Sequence, residues 1–133
     1  MSKKLVIYTD GASRGNPGPA AYGVYIIDED QNTTELKGAL GDQTNNFAEY
    51  TAVVEAIKWM VANSFKEAEL RADSELMIKQ INGEYKVKSD TLKPLHAEIK
   101  SLMVKNQLRV NFKHVRREFN KDADRLANEA LDY

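Results

Sequence analysis

Three observations in the chain predict an α/β domain built on a mixed sheet. Short apolar, β-rich runs at residues 20–28 and 33–40 are close enough to be antiparallel neighbours, and with the run at 5–8 they suggest a three-stranded meander. From residue 46 onward, apolar stripes at spacings of three and four alternate with further strand-like runs, giving βαβ crossovers and therefore parallel pairing. The order βββαβα followed by αβα makes a sheet that is antiparallel where it opens and parallel where it ends, with helices on both faces. A chain of 133 residues can bury a core without staples, and residues 1–133 are expected to form one domain.

Taken in order, Leu5, Val6, Ile7 and Tyr8 read as a buried strand that breaks into Asp10 and then a turn rich in glycine and proline, from Gly11 through Pro17 to Pro19. A charge at the end of a core strand is costly unless it is paired or binds a cation, so Asp10 is either a ligand-site acid or a turn aspartate. The runs 20–28 and 33–40 meet across Asp30, Gln31 and Asn32, and the second of them, polar and glycine-bearing, belongs at a sheet edge. A helix over 46–63 places Glu49, Val53, Ala56, Ile57 and Met60 on one stripe. Asn46 to Glu49 also has capping-box spacing, which explains an acid near this point but not why it opens the core stripe. Residues 68–73 alternate and end in Asp73, directly before a helical stretch over 74–81, so Asp73 is a candidate for a site or for that helix's cap. Glu69 and Arg71 are awkward in a strand covered on both faces. A polar connector over 84–90, carrying Lys86 and Lys88, leads to a helix over 91–105 with Pro94 in its first turn. Leu108, Val110 and Phe112 alternate with Arg109, Asn111 and Lys113, and His114 continues the apolar phase. A last helix starts near Asn120, packs through Ala123, Leu126, Ala127, Ala130 and Leu131, and carries Asp124 in its first turn.

Four acids share one kind of position: Asp10 and Asp73 at C-terminal strand ends, Glu49 and Asp124 in first helical turns. Ligands of α/β sheets sit beyond those strand ends. Four carboxylates gathered there repel one another unless cations intervene, and a chain without cysteine and with only two histidines offers hard oxygen ligands suited to Mg²⁺ or Mn²⁺. An all-carboxylate site is what two-metal phosphoryl chemistry requires, with ions ~3.5–4 Å apart. The net charge of −1 argues against a polyanion partner only if the acids are spread evenly; clustered, they leave a net positive remainder for one. The only early apolar run is too short for a signal or membrane segment, and the absence of cysteine fits a reducing cytoplasm.

The stretches Tyr8-Thr9-Asp10-Gly11-Ala12-Ser13-Arg14-Gly15-Asn16-Pro17-Gly18, Thr44-Asn45-Asn46-Phe47-Ala48-Glu49, Ala72-Asp73-Ser74 and His114 through Asn120-Lys121-Asp122-Ala123-Asp124-Arg125-Leu126-Ala127 together resemble type I ribonuclease H. The resemblance runs in order over nearly the whole chain. It implies the ribonuclease H-like fold, with a five-stranded mixed sheet flanked by helices on both faces. The activity it implies is two-metal-ion endonucleolytic cleavage of the RNA strand of an RNA/DNA hybrid, leaving 5′-phosphate and 3′-hydroxyl ends. By the same resemblance Asp10, Glu49, Asp73 and Asp124 are the metal-binding and catalytic acids for two Mg²⁺, with Mn²⁺ an alternative. The Gly11 backbone, Asn45 and Glu49 then lie against RNA hydroxyls, and Asn16, Thr44 and Asn46 hold the DNA side, with Thr44 a phosphate contact.

His114, ten residues before Asp124, matches the family's histidine for proton transfer or product release, although its apolar phase also fits a packed histidine. Arg117, seven before Asp124, is the rival, as in a subgroup whose last motif looks like residues 115–121. An arginine there cannot shuttle protons but can bind the scissile or leaving phosphate. The basic helical protrusion of many relatives is missing, since only residues 84–90 join the middle helices. Weaker hybrid binding is therefore expected unless Lys86, Lys88, Lys93, Arg116 and Arg117 substitute. A monomer with no membrane partner is expected. Two alternatives remain open at this stage: another nuclease of the same fold, acting on double-stranded RNA or DNA junctions, and a non-catalytic hybrid-binding module.

Overall fold

The apolar run that opens the chain becomes the centre of the sheet. The computed structural model describes residues 4–132. Its elements are β1 (Lys4–Ser13), β2 (Gly18–Ile27), β3 (Thr33–Gln43), α1 (Asn45–Ala62), β4 (Glu67–Ala72), α2 (Glu75–Ile81), α3 (Lys93–Lys105), β5 (Arg109–His114), a 3₁₀ turn (Arg117–Phe119) and α4 (Lys121–Leu131). The strands lie in the order β3-β2-β1-β4-β5. Pairing is antiparallel between β1 and β2 and between β2 and β3, and parallel between β1 and β4 and between β4 and β5. The expected mixed five-stranded sheet is present, with β3 at an edge.

Strand β1 runs further than its apolar residues. Pairing with β2 continues to Ser13↔Ala20, whereas the parallel ladder with β4 ends at Thr9↔Ala72. Asp10 therefore does not end its own strand; it stands where the neighbouring strand stops, with Asp73 next in register beside it.

Leu5 and Ile7 of β1, Val24 and Ile26 of β2 and Leu70 of β4 form a core with Val53, Ile57 and Met60 of α1. Helix α3 packs on α1, and α4 covers the other face across β1, β2 and β3. Two glycines set how closely the helices lie. A Cβ on Gly11 would stand 2.3 Å from the Glu49 amide nitrogen, and one on Gly23 would stand 2.3 Å from the Ala123 carbonyl oxygen. Bare backbone at these points is what lets α1 and α4 approach the sheet.

Helices lie on both faces of the sheet, as expected, but on the second face α4 packs across β1, β2 and β3. Beyond α4, Tyr8, Glu69 and Arg71 line an open groove. There Arg71 Nε donates to Glu69 Oε2 at 2.7 Å, Nη1 donates to the Tyr8 hydroxyl at 2.5 Å, and the guanidinium lies over the Tyr8 ring. The polar residues that looked misplaced in β4 occupy its open side.

Helix starts also differ from the sequence reading. Thr44, not Asn46, caps α1, its hydroxyl accepting from the Phe47 N–H at 3.1 Å. The 46–49 capping box is therefore not used, and Glu49 sits two residues further into the helix than expected, on the inward stripe. Ser74, not Asp73, caps α2 by accepting from the Met77 N–H. Helix α3 begins at Lys93 rather than Thr91. No helix among the described residues is long and apolar enough to cross a membrane.

Candidate active site

With the capping roles taken by Thr44 and Ser74, Glu49 and Asp73 are left to turn inward toward Asp10. One carboxylate oxygen from each of Asp10, Glu49 and Asp73 lies within 4.8 Å of the other two. Asp124, from the first turn of α4, joins them in lining a cavity of about 330 Å³ together with Gly11, Asn45, Arg117 and Asn128. Each acid arrives on a different element: Asp10 on the central strand, Glu49 on α1, Asp73 at the end of β4 and Asp124 on α4.

The electrostatics of this cluster are those of a site short of positive charge. Burial pushes the Asp10 carboxyl up to about 8, helped by the charge of Asp73 and by a hydrogen bond to Asp124, against a lowering contribution from the Gly11 N–H. Glu49 is pushed up to about 7, again chiefly by burial; a bond from the Ser74 hydroxyl lowers it, Asp73 raises it and the Arg117 guanidinium lowers it. Glu49 Oε2 is buried with no hydrogen-bond partner. A buried carboxylate oxygen without a partner is costly, and a hard divalent cation is the kind of group that supplies one. Donor type, spacing and the orphaned oxygen all fit such an ion, with Asp10, Glu49, Asp73 and Asp124 as the residues available to hold it.

The remaining residues singled out from sequence divide. Gly11, Asn45 and Arg117 line the cavity. Asn16 stands behind Asn45, its Oδ1 accepting from the Asn45 N–H at 3.0 Å. Thr44 is occupied as the α1 cap. Asn46 lines a neighbouring groove with Leu76, Tyr85, Lys86 and Lys88. His114 is not among the residues lining the acid cavity; it ends β5 exposed, with Nδ1 3.7 Å from Glu75 Oε2.

Two residues escaped the sequence reading. Asn128, one turn beyond Asp124, donates to the Asp124 carbonyl at 2.8 Å and to its Oδ1 at 3.2 Å, a contact that the i, i+4 spacing could have suggested. Asn120, which the sequence places at a helix start and in the last family motif but without a role of its own, donates to Asp73 Oδ2 at 3.1 Å.

The sequence matches the reverse-transcriptase-like family over residues 8–130. It is 34% identical to a ribonuclease H of Clostridium botulinum over 146 aligned positions, covering 98% of this chain and 97% of that one. It is 41% identical to the bifunctional protein Rv2228c of Mycobacterium tuberculosis, covering 97% of this chain and 36% of that one. The chain thus spans about a third of the length of the mycobacterial relatives it matches. Among solved structures, LC11-RNase H1 in complex with an RNA/DNA hybrid superimposes with a TM-score of 0.91 at 44% identity, over 96% of each chain. The family match spans Asp10, Glu49, Asp73 and Asp124, and together these likenesses place the chain in the ribonuclease H family.

Proposed function

We propose that this chain cleaves the RNA strand of RNA/DNA hybrids, hydrolysing phosphodiester bonds to leave 5′-phosphate and 3′-hydroxyl ends. The observation that carries the reading is the convergence of Asp10, Glu49 and Asp73 within 4.8 Å, with Glu49 Oε2 buried and unpartnered. Asp10, Glu49, Asp73 and Asp124 hold two divalent ions, Mg²⁺ or Mn²⁺. When bound, such a pair lowers the barrier to in-line attack of water on phosphorus and stabilises the leaving oxygen.

The chain's own groups do the rest. Arg117, on the cavity wall, binds the scissile or leaving phosphate as a planar, permanently charged donor. Asn45 and the Gly11 backbone face the RNA strand, where 2′-hydroxyls are what distinguish it from DNA. Asn16 holds the start of α1 through the Asn45 N–H and, with Thr44 and Asn46, lies on the DNA side. His114 stands outside the cavity lining, so phosphate handling by Arg117 is favoured over proton transfer by His114. Residues 1–133 are taken as the unit that carries the activity.

The reading is tested by incubating the protein with end-labelled RNA/DNA hybrid, duplex RNA, duplex DNA, a four-way DNA junction and single strands, in Mg²⁺ and in EDTA. Cuts confined to the RNA of the hybrid and dependent on the ion are expected. Equal cutting of duplex RNA or of the junction points to another nuclease of this fold, and hybrid binding without cutting points to a non-catalytic module.

A further inference from the structure

Asn120 occupies the N-cap position of α4, where asparagine is common because its side chain can bond the first free N–H groups of the helix. Here it does not. The side chain makes no capping bond and is 0% exposed. Its amide nitrogen instead donates to the Thr9 carbonyl at 2.9 Å and to Asp73 Oδ2 at 3.1 Å. Its own carbonyl oxygen accepts from the Asp124 N–H at 3.1 Å.

One residue therefore touches the backbone next to Asp10, the carboxylate of Asp73 and the helical turn that carries Asp124. Both amide hydrogens are used, while Oδ1 is buried without a partner. A buried acceptor left unpaired disfavours the fold, so the orientation is set by where the two hydrogens are needed.

From this geometry we propose that Asn120 is a positioning residue for the acid cluster, fixing the Asp73 carboxylate relative to Asp10 and Asp124. The inference rests on the nuclease reading and concerns how the acids are held, not what is cut. Partners behind a ligating carboxylate set its orientation, and their loss weakens ion binding and slows chemistry without touching the substrate. The position requires a donor. Leucine has nearly the same size and no charge but cannot donate, so it removes the two bonds and little else.

The test compares the full chain with Asn120→Leu, Asp73→Asn and the double variant, using Mn²⁺ titration calorimetry without nucleic acid, thermal unfolding, and steady-state cleavage of a hybrid. Asn120→Leu is expected to bind Mn²⁺ about 10–100-fold more weakly. Its kcat is expected to fall about 10²-fold with KM for the hybrid within about threefold of the parent, as misplacement of a catalytic group does. In the Asp73→Asn background it is expected to weaken Mn²⁺ binding no further. Mn²⁺ affinity and kcat within about threefold of the parent overturn the proposal. So does a double variant in which the two losses simply multiply, because Asn120 then acts independently of Asp73. Should Asn120→Leu fail to unfold cooperatively, Asn120→Ser, which keeps one donor, is measured against the same criteria; failure of both to fold assigns a purely structural role and also overturns it. A parent chain that binds Mn²⁺ but leaves the hybrid intact sinks the nuclease reading, while the Mn²⁺ comparison still decides the role of Asn120.

Discussion

Asp10 and Glu49 are carboxyl groups that the fold, without a cation, prefers to keep protonated. The Asp10 carboxyl rises from its ordinary 3.8 to about 8 and Glu49 from 4.5 to about 7, both chiefly through burial. For acids raised on folding, the unfolded chain releases its protons first. Their contribution to stability is therefore complete below about pH 4 and is lost as pH rises toward the folded values. Both folded values fall between pH 6 and 8.5, so the melting temperature of the metal-free protein is expected to fall across that window. Asp10→Asn should flatten the fall, and added Mg²⁺ should raise the midpoint more at pH 8.5 than at pH 6. A melting temperature that rises across the window, followed by circular dichroism in chelator, contradicts this account. At this scale the four acids were legible because each combined a residue type with a position at a strand end or helix start. The role of Asn120 was not, since its bond to Thr9 spans 111 residues and a local capping preference already explained the residue. The depth of Glu49 in α1 was not legible either, since nothing in the sequence ranks Thr44 above Asn46 as the cap.

At the scale of elements, the acids are brought together by how closely two helices meet the sheet, and glycine sets both approaches. Gly23→Ala places a methyl 2.3 Å from the Ala123 carbonyl and 2.6 Å from the Ala127 nitrogen, so α4 must lift and take Asp124 with it. Gly11→Ala does the same to α1 at Glu49. Each is expected to cost about 1–3 kcal/mol in urea unfolding, the usual range for overpacking, and to lower kcat more than it raises KM. Parent-like stability in both variants would show that the helices are held less tightly than the distances indicate. Thr44→Ala, which removes the α1 cap, is expected to cost about 1 kcal/mol in the same measurement. Strand and helix order was readable throughout because the periods of two and of three to four are distinct in this chain. The partial cover of the second face was not. Glu69 and Arg71 signalled an open side, but the path of α4 that leaves it open depends on Gly23 meeting Ala123, a tertiary contact with no local signature.

The whole molecule carries a net charge of −1 and yet is assigned a polyanionic substrate. The resolution lies in distribution: acids converge on one cavity, while Lys86 and Lys88 line a separate groove with Asn46, Leu76 and Tyr85 near the start of α1. If hybrid phosphates run along that groove, replacing both lysines by alanine is expected to weaken binding and reduce the slope of log K against log salt by about 1–2, with kcat nearly unchanged. An unchanged slope in a filter-binding titration removes those lysines from the substrate track. The central claim, that the four carboxylates form one ion-dependent hydrolytic centre, is tested most directly by single-turnover cleavage of a 5′-end-labelled hybrid by the parent chain and by Asp10→Asn, with Mg²⁺ or EDTA. Cleavage is expected only for the parent with Mg²⁺, with 3′-hydroxyl ends and with hybrid binding by Asp10→Asn largely kept. Cleavage that survives EDTA, or that Asp10→Asn performs at the parent's rate, contradicts it.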